Sequence, residues 1–247
     1  MPTIYLSPST QEFNPYVDGS GSEEYYMNLI ADAMIPYLEA TGINYVRNTP
    51  EMTAASSIRE SNAGNYDLHL ALHSNAAGAA NSGNVRGVEV YYFPQSSNGQ
   101  RAAEIIANNL KLIYPLPQNV RTVPTTSLGE VTRTRAPSVL IEYAYHDNLQ
   151  DAQWIENNID AIAQNTVLSL ADYFDIPFNY PETETMGTIA TPMGGNLNIR
   201  QSPSFDAPII GSVPSGTQVT ILATLPDWYL IRYGNIVGYS YAPYVRA

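Results

Sequence analysis

The sequence has no cysteine in its 247 residues. That excludes a disulfide framework and a thiolate metal site, so any metal must be held by histidine, carboxylate or amide side chains, and the redox compartment is left open. Basic residues are scarce as well: 11 Lys and Arg stand against 23 Asp and Glu, a net charge of −12. Nucleic acid and anionic lipid are disfavoured as partners, because both are bound largely through their phosphates. Nowhere do about 18 apolar residues run together, so no membrane span is expected. The start, MPTIYLSPST, carries neither the basic flank nor the apolar stretch of a secretory signal.

What is present describes a folded chain: 44% hydrophobic residues, 14% charged residues, and Gly and Pro scattered without low-complexity runs. The length suits one α/β domain plus a small appendage. The charge is divided unevenly. Twenty of the acids but only eight of the bases lie in the first 182 residues, so the whole of the −12 belongs there and the remainder is neutral.

From residue 3 to about 174, short β-rich runs alternate with stretches of helical period, the pattern of a sheet with helical crossovers. TIYL, INYV, DLHLALH, VEVYYF, RTV and SVLIEYAY read as strands. Ser22 can cap a helix that runs through Met27, Ile30, Met34 and Leu38 to a stop at Gly42, with Glu23 and Glu24 in its first turn. Further helices are expected near 55–64, 98–114 and 149–174. The Pro- and Thr-containing stretch DIPFNYPETETMG then reads as a connection. After it come LNIR, IIGSV, TQVTILA, WYLIRY and IVGYSYAPYV, short strands separated by turns with no helical period. The expected organisation is an α/β domain over 1–175, a linker over 176–187 and a small all-β barrel over 188–247. The first has a mixed, mostly parallel sheet flanked by helices.

Three residues at strand ends or a helix start invite a chemical reading. His73 closes the buried-looking run DLHLALHSNAAG, where an imidazole can bind metal or move a proton, although a hydrogen-bonded core histidine is common in such a place. Glu24 lies in a helix first turn, where compensation of the helix dipole is explanation enough. Glu142 lies near the end of the apolar strand SVLIEYAY, and a carboxylate buried there is costly enough to need a purpose.

Together, the strand ending in SPSTQ, the helix EEYYMNLIADAM, the turn with Arg59 and Asn62, the strand DLHLALHSNA, then GVEVYYF and APSVLIEYAYHDN resemble the zinc-dependent N-acetylmuramoyl-L-alanine amidases. The resemblance covers nearly all of residues 3–174. It implies hydrolysis of the bond between the lactyl group of muramic acid and L-alanine in peptidoglycan. It also implies zinc as cofactor, Glu24 and His73 as zinc ligands, and Glu142 as the catalytic glutamate that takes a proton from water and returns it to the leaving amine. The family's first motif, Asp-Pro-Gly-His-Gly-Gly, is replaced here by Ser7-Pro8-Ser9-Thr10-Gln11-Glu12, so the first zinc histidine is missing. Thr10 aligns with it, but the amide oxygen of Gln11 is the better metal donor. His146, four residues past Glu142, is another candidate. His69 shares a strand face with His73, yet four strand residues span ~13 Å, so both cannot bind one metal.

From Gly187 onward, LNIRQSPS, IIGSVPSGTQVTIL and DWYLIRYGNIVGYSYAPYV resemble a bacterial SH3-like module. That resemblance implies a wall-binding role, with Trp228, Tyr229, Tyr239 and Tyr241 as candidate contacts; Trp228 can equally serve to fill a tiny core. The expected protein is therefore a peptidoglycan amidase acting on the bacterial wall, outside the cell or released on lysis, in autolysis, spore-related lysis or phage-type lysis. Two rivals stand beside it: a weak or inactive wall-binding protein that keeps the fold without the metal, and a zinc carboxypeptidase acting on stem peptides.

Overall fold

The computed structural model describes residues 1–181, 185–225 and 227–247. The chain divides into two compact units, Met1–Asn179 and Tyr180–Ala247. The first unit is built on a sheet of six strands, β1 (Thr3–Pro8), β2 (Asn44–Arg47), β3 (Leu68–Asn75), β4 (Val88–Tyr92), β5 (Val120–Pro124) and β6 (Ser138–Tyr145). Their order is β2-β1-β3-β6-β4-β5. All neighbours run parallel except β4 and β6, which are antiparallel. The sheet is thus mixed and mostly parallel.

Between the strands lie helices α1 (Glu23–Thr41), α2 (Ala54–Ala63), the single turn α3 (Gly78–Asn81), α4 (Ser97–Leu110), the short α5 (Gly129–Thr132), α6 (Leu149–Asn157) and α7 (Ile159–Phe174). Helix α1 begins as its sequence dictates: the Ser22 side chain accepts from the Tyr25 N–H, and Gly42 ends it in the left-handed region at φ 76°. The helix expected over 149–174 is two helices. Asn158, at φ −130° and ψ 24°, leaves helical geometry between them, and the pair Asn157–Asn158 has little helical preference to resist the break.

Strand β3 is the hub, buried along almost its whole length. Alternation gives it two faces. Leu68, Leu70 and Leu72 lie on the face where Tyr143 of β6 bonds Thr166 of α7 at 2.7 Å. His69, Ala71 and His73 lie on the other, where Ala71 and Leu140 of β6 pack with Val131 of α5. The register places Glu142 directly across from His73 on one side and from Glu89 of β4 on the other. The polar face near the strand ends is therefore set by pairing alone.

Residues 176–179, expected as linker, instead dock on the first unit. Phe178 stacks on Tyr37 of α1 at 6.1 Å, and Asn179 exchanges backbone hydrogen bonds with the Thr41 hydroxyl. Residues 182–184 of the expected linker lie outside the described residues, and 185–187 already belong to a strand.

That strand, β7 (Thr185–Ile189), joins β8 (Leu197–Arg200), β9 (Ile209–Val213), β10 (Gln218–Leu225), β11 (Trp228–Tyr233), β12 (Ile236–Tyr241) and β13 (Val245–Arg246) in the second unit. The order is β13-β7-β10-β11-β12-β8-β9, with antiparallel neighbours throughout. Ile189, Ile199, Val213, Val219, Ile221 and Ile231 fill its core. It is a small all-β domain of SH3-like type. Among the described residues, no helix of the protein is long and apolar enough to cross a membrane.

Just past Glu142 the pairing of β3 with β6 shifts register, and the extra residue on β6 coincides with Ala144, fully buried and held at φ 80°. A β-bulge here turns the end of β6, and a non-glycine residue at positive φ carries roughly 1–3 kcal/mol of strain. Ala144→Gly removes that strain against a backbone-entropy cost of about 0.5–1 kcal/mol. The variant is expected to gain about 1 kcal/mol in chemical denaturation; a clear loss would show that the methyl packs usefully.

Candidate functional site

The site forms where the ends of β1, β3 and β6 meet the start of α1. At its centre the His73 imidazole is held on both nitrogens: Nδ1 is 2.7 Å from Glu23 Oε1, and Nε2 is 3.1 Å from Glu130 Oε2. Gln11, on the loop leaving β1, places its Nε2 3.2 Å from Glu23 Oε1 and 3.4 Å from His73 Nδ1. Asn14 donates to the other Glu23 oxygen at 2.7 Å.

The structure corrects the expected glutamate. Glu23, 1% exposed, faces His73; the Glu24 residue is only partly buried, and no bond from its side chain to the site is found among the described residues. The reason is helical phase. Each residue turns the direction by about 100°. Glu23 shares the buried face of Tyr26, Met27, Ile30 and Met34, whereas Glu24 points about a quarter turn away from the middle of that face. The apolar stripe in the sequence carried this information.

Of the candidates for the missing ligand, Gln11 is brought to Glu23 and His73. Thr10 lines the adjoining pocket without bonding either residue among the described residues. His146 is buried elsewhere, its Nδ1 against Ser74 O and Oγ at 2.8 and 3.0 Å and its ring stacked on Tyr16 at 5.5 Å. It holds strand ends together. His69 serves beneath the site, its Nε2 3.3 Å from Glu130 Oε1. Glu130, 5% exposed on α5, and Asn14 carried no periodic or motif signal and were missed.

The electrostatics follow from these contacts. Burial opposes charge on Glu23, but the bond and charge of His73, with Asn14, hold its carboxyl below the usual range. Burial likewise works against Glu130, yet the two histidines depress it strongly. Burial disfavours the His73 imidazolium too; the two carboxylates overcome this and raise its pKa well above the ordinary value. Glu142 behaves in the opposite way. Burial, reinforced by Glu23 and Glu89 and only partly countered by His73, pushes it up to about 8. Its Oε2 is shut off from solvent and finds no hydrogen-bond partner among the described residues.

The three atoms Gln11 Nε2, Glu23 Oε1 and His73 Nδ1 form a triangle with sides of 2.7, 3.2 and 3.4 Å. Donors around a tetrahedral metal with bonds of about 2.0–2.2 Å stand roughly 3.3–3.5 Å apart. Turning the Gln11 amide about its last bond exchanges nitrogen for oxygen, a choice set only by its hydrogen bonds, and gives two oxygens and one nitrogen. By the chemistry of its donors the set is one that zinc accepts, with an amide where a charged or imidazole group is usual; the 2.7 Å side between Glu23 and His73 is a hydrogen-bond contact that must open for a metal to enter. No cluster of three His, Asp or Glu side chains suited to a metal occurs among the described residues. Beside the triangle lies a pocket of about 320 Å³ walled by Thr10, Phe13, Met52, Ala54 and His73.

In the second unit a pocket of about 280 Å³ is lined by Phe205, Trp228, Tyr241, Tyr244 and Arg200. Phe205 stands 5.0 Å from both Trp228 and Tyr241. Trp228, only 7% exposed, also packs with Ala223 and Leu225, so it fills core and lines pocket at once. Tyr229 and Tyr239 do not line it. Tyr229 packs against the main core, and Tyr239 packs two residues along from Tyr241, against Tyr180. Phe205, in a segment without strand period, and Tyr244, in the turn Ala242–Tyr244 that ends the stretch read as the last strand, line it instead.

Comparison with known proteins agrees with both halves. The family model N-acetylmuramoyl-L-alanine amidase (Amidase_3) matches residues 15–172, and that of the bacterial SH3 domain matches 195–246. The amidase match begins beyond the Ser7–Glu12 segment. N-acetylmuramoyl-L-alanine amidase LytC of Bacillus subtilis (strain 168) is 29% identical over 163 residues, covering 64% of this chain and 32% of its own length. The chain thus spans about a third of the length of the curated relative it matches. Among solved structures, the amidase AmiC2 of Nostoc punctiforme superposes with a TM-score of 0.62 at 18% identity, over 70% of this chain and 97% of that one. The catalytic domain of the CD27L endolysin targeting Clostridia Difficile gives 0.55 at 20% identity, over 70% and 98%. At such identities the likeness is one of fold.

The elevated Glu142 has a measurable consequence. The unfolded chain releases this proton near 4.5 while the folded chain holds it to about 8, so the group costs the fold stability as pH rises through that window. Glu142→Gln, which never ionises, should match the native protein near pH 4.5 and exceed it increasingly up to about pH 8, by on the order of a few kcal/mol. Thermal melts across that range check it; a constant gap would mean that Glu142 titrates normally.

Proposed function

The chain belongs to the N-acetylmuramoyl-L-alanine amidase family, and from that premise we propose that it is a zinc-dependent hydrolase of peptidoglycan. In this reading it cleaves the amide between the lactyl group of muramic acid and L-alanine. The observation that carries the reading is Glu142: a carboxylate with one oxygen buried and unbonded, directly across the sheet from His73. Such a group is costly to keep unless its proton affinity is used.

His73, Glu23 and Gln11 would hold the zinc, which when bound supplies Lewis acidity to the substrate carbonyl and to the attacking water. Glu142 accepts a proton from that water as its oxygen bonds the carbonyl carbon. The carbon–nitrogen bond then breaks, and Glu142 passes the proton to the departing amino group of L-alanine. A base near its own pKa at neutral pH suits both transfers, and a cation nearby draws the Glu142 pKa below about 8. The pocket beside the triangle, with Phe13 and Met52 on its walls, would receive substrate next to the reacting bond. The aromatic pocket of the second unit would hold the wall by stacking and shape, and the unit's near-neutral charge makes that attachment only mildly salt-dependent. The site of action would be the cell wall, reached by export or on lysis.

A weak or inactive wall-binding protein is the second reading, favoured by the loss of the family's first histidine, for which the neutral Gln11 amide is the donor at hand. Metal analysis separates the two. Zinc-loaded protein incubated with purified wall should release new L-alanine amino termini, and chelator or Glu142→Ala should abolish the release. No release by zinc-loaded protein defeats the enzymatic reading.

The ligand assignment makes its own demand. Glu23→Gln should weaken zinc binding at least about tenfold while Glu24→Gln leaves it nearly unchanged, as read by competition with a chromogenic chelator. Native affinity should also rise with pH, because the metal must displace a proton that two carboxylates hold on His73. Equal losses in the two variants would return the ligand role to Glu24.

A further inference from the structure

Glu130 is a carboxylate with no place in the family reading, and its surroundings are specified at every oxygen. Its Oε2 takes His73 Nε2 at 3.1 Å; its Oε1 accepts the Ser7 hydroxyl at 2.5 Å and lies 3.3 Å from His69 Nε2. His69 is itself fixed. It is fully buried, bonded through Nδ1 to the Ser61 hydroxyl at 3.0 Å and stacked on the Tyr5 ring at 5.3 Å. Val131, the next residue, anchors the short α5 against Ala71 and Leu140. Taking a carboxylate out of water costs several kcal/mol unless every lone pair is answered, and here three side chains from two strands, β1 and β3, answer it.

An ionised carboxylate can only accept. Facing Glu130, His73 Nε2 must therefore carry hydrogen, and without metal so must Nδ1 facing Glu23; of the two, only Nδ1 has Glu23 and Gln11 together beside it, so it is the nitrogen whose hydrogen a metal there would replace. We propose that Glu130 is the positioning residue of this site, clamping His73 through Nε2–H so that Nδ1 alone is presented as the metal donor. His69 and Ser7 keep the clamp from turning: with Oε1 engaged by both, Oε2 stays aimed at His73. The inference rests on the zinc reading for its purpose, whereas the clamp itself exists with or without metal.

The test uses the full chain labelled with 15N-histidine. Native protein should show a slowly exchanging, downfield Nε2–H resonance for His73, metal-free and zinc-loaded alike, while zinc should abolish the Nδ1–H and leave the Nε2–H in place. Glu130→Ala should lose that resonance to solvent exchange and bind zinc about 10–100-fold more weakly. Glu130→Gln keeps an oxygen that can accept from Nε2–H, so it should retain the resonance and most of the affinity, which a requirement for charge alone would not predict. Melting curves establish that the variants fold; should Glu130→Ala fail to do so, the native and Gln spectra decide. Native affinity in Glu130→Ala, or loss of the Nε2–H on zinc binding with Nδ1–H retained, overturns the proposal. If native protein takes up no zinc, the zinc reading falls, while the metal-free resonance and its loss on substitution still judge the clamp.

Discussion

An imidazole gripped at both nitrogens by buried carboxylates is the interaction to which the first unit is fitted. His73 stands at the exit of the central strand, where Glu23 meets it from the start of α1 and Glu130 from α5. Neither carboxylate could be buried alone, because an unpaired charge in that setting is several kcal/mol out of balance. Each therefore brings partners of its own: Asn14 and Gln11 on Glu23, Ser7 and His69 on Glu130. The loop after β1, the first turn of α1 and the turn before β6 are fixed together by these bonds. Local order in three sequence-distant segments is thus one cooperative network.

The mixed sheet adds a second consequence. Because β4 runs against β6, Glu89 comes to rest beside Glu142, with His73 on the opposite flank. Glu89 is already satisfied by Arg121, Tyr91 and Asn75. Glu142 receives no such help at its inner oxygen. Glu142, pushed up to about 8 by burial, is thereby left poised to carry a proton. The bulge at Ala144 falls immediately after Glu142, where the strand turns from pairing to site.

Charge divides with structure. The acidic excess lies almost wholly in the first unit, while the second is nearly neutral and gathers aromatic rings around one pocket. Contact by stacking needs no charge complementarity, so what this pocket can hold by its rings depends little on the ionic conditions around it. Trp228 does two things there, since a domain this small has too few large residues to reserve one for binding alone.

Strand and helix placement was legible because periods of 2 and 3.6 residues are local properties, and so were His73 and Glu142, each marked by a polar group closing an apolar strand. The SH3-like strands were legible for the same reason, β7 excepted, which hides in a stretch of Thr and Gly. The choice between Glu23 and Glu24 was readable in principle from the stripe Met27–Ile30–Met34, since helical phase is fixed by sequence spacing. The partners of His73 were not. Glu130 lies 57 residues from it and Gln11 lies 62, and no spacing rule links a loop, a strand end and a four-residue helix. By itself the sequence determined which segments pair and which faces are buried, because burial is patterned along the chain. Only the tertiary structure decided which carboxylate faces which nitrogen, because that depends on how far apart in space the chain's separate segments come to rest.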